Sequence, residues 1–278
     1  MQWLYFFLFP IAYGLSDMLW IKLGNSVSFF KSIFLRSLIS VSITFIAALL
    51  LDNTHCTNIF NWLNAVMVAV ISVIGFLLFY KSLQQKDSGI NTVVVKGLNT
   101  VVTVVIVMVL AKKLDFLIIL ATLLLLLGLC LVYIKWNKDN DSGINFYAVI
   151  AGIIWGVTTQ LYAKPVQEIG SFWFAFVDEF TSLICVLIIL LIKKDLQIIV
   201  FNKQQNKMIA LVGINTAAGT ILVTLAYNYY SPAVISIVGK FAILPPFLYA
   251  FLVQKQRLTF PKILGILLIL IAIYLSVR

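Results

Sequence analysis

The sequence predicts an all-α membrane protein of ten transmembrane helices, arranged as two inverted five-helix repeats. Three observations predict it. Of 278 residues, 62% are hydrophobic and 11% charged, where soluble domains sit near half apolar and a quarter charged. The apolar residues gather into runs near the 20 residues that a spanning helix needs. The second half of the chain echoes the first at a nearly constant offset.

The runs cover 3–22, 27–51, 60–83, 89–111, 115–135, 145–164, 171–192, 207–229, 232–254 and 259–277. The first follows Met1-Gln2-Trp3 with neither a basic n-region nor a small-residue cleavage site, so it reads as a mature helix and not a signal peptide. Asp52-Asn53-Thr54 separates the second run from the third, and Lys138-Asp139-Asn140-Asp141 the fifth from the sixth. Val101 through Leu110 in the fourth and Leu123 through Leu127 in the fifth are continuously apolar. A membrane β-barrel would alternate there, so helices are predicted. Pro232 and Pro261 stand at the starts of the last two runs, where a first-turn proline is tolerated. The connections are short and leave almost no chain for a soluble domain.

The net charge is +10, and its placement matters more than its total. Of the 20 Lys and Arg, 13 lie in the loops after runs 1, 3, 5, 7 and 9, and 4 on the opposite side. The positive-inside rule then puts both termini outside the cytoplasm. The same distribution leaves no compact basic domain for nucleic acid. The expected location is the inner (plasma) membrane. Cys56, Cys130 and Cys185 are far apart, and the last two fall in apolar runs as small hydrophobes. His55 beside Cys56 cannot alone complete a zinc site. There is no HExxH, GxSxG or P-loop, so neither an enzyme nor an ATP-driven pump is expected, and no cofactor.

Sliding the chain by 142 places Tyr13-Gly14 on Trp155-Gly156, Trp20 on Tyr162 and Lys22 on Lys164. Sliding by 144 places Gly75 on Gly219, Lys96 on Lys240 and Phe116 on Phe260. The repeats are 1–138 and 139–278. Each has an odd number of helices, so the second enters the membrane from the opposite side. Inverted repeats are the architecture of secondary transporters, with the site between repeats near the midplane.

The layout resembles the drug/metabolite transporter superfamily, most of all its EamA-type members. The resemblance is carried by Ile11-Ala12-Tyr13-Gly14 and Ile153-Ile154-Trp155-Gly156, by Phe79-Tyr80-Lys81-Ser82-Leu83, and by Gln256-Arg257-Leu258-Thr259. Gln256 and Lys113 stand where the family commonly has an acid. The resemblance implies that helices 1–4 and 6–9 surround the cavity and that 5 and 10 are peripheral. In related triose-phosphate and nucleotide-sugar translocators the matching helices carry lysines facing anionic groups. Val238-Gly239-Lys240 resembles that arrangement loosely.

An ionisable residue at a helix centre costs about 2.5–3.5 kcal/mol to insert, so it normally faces a cavity or a partner. Lys96 and Lys240 are repeat mates about 10–12 Å into helices that enter from opposite faces. They are the expected anion contacts; snorkelling to the interface is the other reading. Arg36 and Glu179 align at an offset of 143 and are the expected gate or coupling pair, with a static buried ion pair as the alternative. Asp17 and Asp178 join them as coupling candidates, or neutralise the lysines. Asn99, Trp155, Tyr13, Tyr162 and Asn215 complete the expected substrate lining, although Trp and Tyr near helix ends also serve as interfacial anchors. Gly239, Pro245 and Pro246 are the expected hinge, because prolines there free the carbonyls of Phe241 and Ala242. A packing kink reads equally well. Gly152 through Gly156 forms a GxxxG, which allows close helix approach.

The resulting expectation is a secondary transporter of a small anionic or zwitterionic metabolite (an organic phosphate, a carboxylate or an amino acid) working by alternating access. A proton or counter-substrate is its expected coupling partner, the lipid bilayer its surroundings, and a monomer or homodimer its state. The alternatives are a proton-coupled exporter of cations or drugs, and a non-transporting membrane assembly subunit.

Overall fold

The computed structural model describes residues 2–23, 28–52, 56–83, 88–112, 115–133, 145–194, 201–253 and 259–277. His55, Lys113, Gln256, Arg257 and Leu258 lie outside them. All ten segments are helical. In chain order they are α1 (Gln2–Leu23), α2 (Phe29–Leu51), α3 (Ile59–Leu83), α4 (Ser88–Ala111) and α5 (Phe116–Tyr133). Then come α6 (Phe146–Leu161) with α7 (Ala163–Ile169), α8 (Ser171–Ile192), α9 (Lys203–Ala226), α10 (Pro232–Val238) with α11 (Leu244–Leu252), and α12 (Phe260–Ser276). Seven helical stretches among the described residues are long and apolar enough to cross a membrane, and α5 and α12 are shorter apolar helices. Side chains such as Leu50, Phe60, Ile192 and Phe260 are about three-quarters exposed, which in this chain is surface for lipid.

Two segments are broken, each at proline. The sixth was expected to be one helix ending near 164, but it divides at Tyr162 and continues to Ile169. Pro165 has no N–H to carry the ladder across that point. The ninth changes at Gly239–Ile243 into a 3-10 turn before α11. Pro245 and Pro246 occupy the first turn of α11, where their missing N–H groups cost nothing. The eighth segment starts at Lys203 and not at 207, because Asn202 and Gln205 form a reciprocal capping box. Gly170 joins α7 to α8 at φ 91°, a backbone that favours glycine.

The chain folds as two units, and each draws on both halves of the sequence. Unit 1 comprises residues 1–70, 164–229 and 242–253; unit 2 comprises 71–163, 230–241 and 254–278. In unit 1, α1 packs on α9 and α11, and α2 packs on α8 and α9. The end of α1 meets the start of α9 through Leu19, Leu23, Ile209 and Val212. In unit 2, α4 packs on α6, α5 on α12, and α10 on α4. Val95, Ala148 and Ala151 form a core beneath Leu78, Phe79 and Trp155.

Two pairs of repeat mates, α2 with α8 and α5 with α12, pack on one another within these units, and they do so antiparallel. The start of α2 meets the end of α8, where Lys193 stands over Phe30. The end of α2 meets the start of α8, where Asp52 accepts from Phe172 N at 3.2 Å. In α5 and α12, a Cβ on Gly128 would touch Ile269 and one on Gly265 would touch Val132. Opposed mates are what an inverted repeat requires. The GxxxG of α6 also has a structural use: Gly152 and Gly156 both admit α4, with Val95 O and Asn99 O each 3.0 Å from the positions their Cβ atoms would take.

Candidate functional site

Each unit holds one pair of the charged repeat mates, with Arg36, Glu179 and Lys240 buried and Lys96 half-buried. In unit 2, Lys240 sits in the 3-10 turn that follows α10 and is 9% exposed. Its Nζ donates to Asn99 Oδ1 at 2.7 Å. Ser236, one turn earlier, donates to the same oxygen at 2.9 Å. Both bonds need an acceptor, so they fix which end of the Asn99 amide faces α10. The amide nitrogen then points the other way and donates to Thr159 Oγ1 on α6 at 3.3 Å. Thr159 in turn donates to Trp155 O at 2.7 Å. Asn99 is thus the joint between α4, α10 and α6. Lys96 lies one turn before it on α4, half-buried, and its charge acts on Lys240. Among the described residues unit 2 has a single acidic side chain, Asp115, exposed at the start of α5, where it caps Leu117 N and Ile118 N.

Unit 1 matches its buried charged mates with each other. Arg36 Nη1 donates to Glu179 Oε2 at 2.7 Å, and both side chains are buried. Ser40, one turn along α2, donates to the same oxygen at 2.7 Å. Thr220 of α9 donates to Oε1 at 2.9 Å. A hydroxyl has one proton, so Thr220 must accept from Tyr13 OH, 3.2 Å away. The result is a directed chain from Tyr13 through Thr220 to the carboxylate. Gly219 makes room for it, since a Cβ there would lie 2.9 Å from the Tyr13 ring. Asp178 is half-buried beside Glu179, and Asp17 is half-buried one turn after Tyr13. Both have partners of their own.

The remaining expected residues divide between the units. Trp155 and Tyr162 both reach Ser72 on α3. Trp155 Nε1 donates to its carbonyl at 3.2 Å and Tyr162 OH to its hydroxyl at 2.7 Å. The Trp155 ring is packed between Phe79 and Gly75, so its face is occupied by protein. Asn215, in unit 1, turns its amide back to Leu211 O of its own helix at 2.8 Å. Gly239 ends α10 at helical dihedrals that any residue adopts. Pro245 stacks against Gly14 of α1, where a Cβ would overlap Ala242 O and lie 2.7 Å from the Pro245 ring. Pro246 follows it in α11. Ser40, Thr220, Ser236 and Thr159 were not among the sequence candidates. Their signal is spacing: Ser40 lies four after Arg36 and Ser236 four before Lys240, one turn away on the same face. No group of metal-ligating side chains occurs among the described residues.

The model of the EamA-like transporter family matches this chain twice, over residues 2–134 and 143–278. A solved structure described as "Crystal structure of protein" superimposes on 98% of this chain and 95% of its own with a TM-score of 0.78. At 11% identity that likeness concerns the fold alone. No curated protein matches the chain significantly.

Proposed function

The chain belongs to the EamA-like transporter family, and we propose that the cargo of this membrane transporter is a small polar anion or zwitterion, moved by alternating access. One observation carries this reading: Lys240 is buried with a neutral amide oxygen as its acceptor. An ammonium has three donors, and Asn99 takes one. A buried amine that meets an amide in place of a carboxylate gains no counter-charge from that partner, and an anionic ligand would favour its charged form. A substrate phosphate or carboxylate would supply the missing counter-charge. Lys96 adds a second positive charge from the same unit. Asn99, Ser236 and Thr159 act as positioning residues that hold the ammonium where α4 meets the break in the ninth segment.

Arg36 and Glu179 are the gate in this reading, closed here and opened in the alternate state. Glu179 suits that role better than cation binding. Its charge is matched by Arg36 and its oxygens accept from Ser40 and Thr220, so it has little to offer a cationic drug in this state. Loop charge further supports both termini lying outside the cytoplasm.

The test is a thermal-shift screen of purified protein with phosphorylated, carboxylated, zwitterionic and cationic compounds, on wild type and Lys240→Met. A native-state ligand at 100 times its Kd stabilises by about 2.7 kcal/mol. Anions or amino acids are expected to stabilise the wild type and to lose that effect in the variant. Stabilisation by cations that persists in Lys240→Met overturns the reading.

A further inference from the structure

One end of unit 1 is strongly basic. α1 ends there with Lys22, α2 begins with Lys31, α8 ends at Lys193 and Lys194, and α9 begins with Lys203 and Lys207. Contacts place these helix ends together: the Lys193 ammonium 4.1 Å from the Phe30 ring centroid, and the apolar cluster of Leu23 with Ile209, on which Leu35 of α2 packs. The described residues at this end include no acidic side chain. The opposite end differs, with Asp52, Glu168 and Lys164, the last two paired at 3.6 Å.

The depth of the basic end is set by its neighbours. Leu191 is 51% and Ile192 75% exposed, immediately before Lys193 and Lys194. Such side chains belong in hydrocarbon, so the two lysines that follow stand at headgroup level. Lys193 lies over the Phe30 face, an arrangement that fixes the stem while using none of its N–H groups. Its ammonium meets no hydrogen-bond acceptor among the described residues. Lys194 follows at φ 52°, the left-handed backbone common just past a helix end. Lys22 repeats the stacking at 5.8 Å over Tyr249.

We propose that this end of unit 1 is a binding surface for anionic phospholipid headgroups, with Lys193 and Lys194 as the contact pair and Phe30 as the platform that positions Lys193. Charge complementarity and headgroup depth both select a lipid phosphate as the occupant. A soluble anion would gain from the charge but not from the adjoining apolar surface.

The experiment titrates purified full-length protein with phosphatidylglycerol, phosphatidylcholine or inorganic phosphate in mixed micelles and follows thermal stability. Phosphatidylglycerol is expected to stabilise, phosphatidylcholine to do so far less, and the difference to shrink with added salt. Lys193→Gln and Lys194→Gln should each weaken the phosphatidylglycerol response about fivefold. Phe30→Leu should weaken it about two- to fivefold, and Lys193→Arg should preserve it. The proposal fails if the two lipids act alike, or if the double Gln variant responds as wild type does. It fails also if inorganic phosphate stabilises as well as the anionic lipid, which would make this a site for free phosphate. None of these outcomes depends on which substrate is carried.

Discussion

Both units hold charged repeat mates, and they satisfy the buried ones in opposite ways. Unit 1 places an arginine against a glutamate and surrounds the carboxylate with hydroxyl donors. Unit 2 places a lysine against an amide, with a second lysine acting on it. A matched pair is complete without a ligand. A cation on an amide is complete only with one. The same inverted duplication has therefore produced a closed electrostatic unit and an open one, and the open one is where an anionic substrate gains most.

The sharpest way to break this comparison is to remove one cation from each unit. Arg36→Met leaves Glu179 buried without its counter-charge and should cost about 3–5 kcal/mol of stability. Lys240→Met removes a charge that meets no carboxylate among the described residues of its unit, so stability should hold or rise. Transport by that variant should nevertheless fall more than about tenfold, as expected when a buried charge contact to a ligand is lost. Chemical or thermal unfolding in detergent, beside flux in proteoliposomes, reads both quantities. If Lys240→Met destabilises as much as Arg36→Met, Lys240 is a structural group and the contrast between the units is false.

A smaller effect is expected where the broken ninth segment meets α1. A methyl on Gly14 would run into a backbone carbonyl and a proline ring, neither of which can turn aside. Gly14→Ala should cost about 1–3 kcal/mol. In unit 2 the same change at Gly75 meets the Trp155 side chain, 2.8 Å away, and a side chain can shift. Gly75→Ala should therefore cost less. Equal losses in thermal unfolding would mean that α1 is free to move away from α11.

Much of this was legible in the sequence, for reasons that differ by feature. Ten apolar runs give ten helical segments because run length is set by membrane thickness. The offset of 143 sets Arg36 and Glu179 at mate positions, and their side chains bond. Pro245-Pro246 announced the broken ninth segment, since a missing N–H is visible in one letter. Pro165 carries the same signal for the sixth. Hydroxyl partners were not legible. Ser and Thr are common in membrane helices, and most of those here bond back to their own helix, as Thr44 does to Ser40 O. Apart from its place four residues after Arg36, nothing in the letters separates Ser40, which reaches Glu179, from Ser42, which returns to Leu38 O. Nor is there a signal for the division of α3 between units at 70/71, which falls inside an unbroken helix.

The smallest expected effect tests the direction of the hydrogen-bond chain in unit 1. Tyr13 donates to Thr220, and Thr220 donates to Glu179. Tyr13→Phe removes the first donor and leaves the second in place, so only a lone pair on Thr220 goes unmatched. Side-chain hydrogen bonds in a membrane bundle average about 0.6 kcal/mol, and the loss should be near that. Thr220→Val acts at the middle of the chain. It takes a donor from the carboxylate and an acceptor from the tyrosine together, and bonds to charged groups are worth about 1.5–3 kcal/mol. The order of the two losses in an unfolding titration therefore matters more than either value. Were Thr220 to donate to Tyr13 instead, Glu179 would not depend on it, and the two substitutions would cost the same. Thr220→Val exceeding Tyr13→Phe keeps Glu179 at the end of the chain, where its charge is fully spent within unit 1.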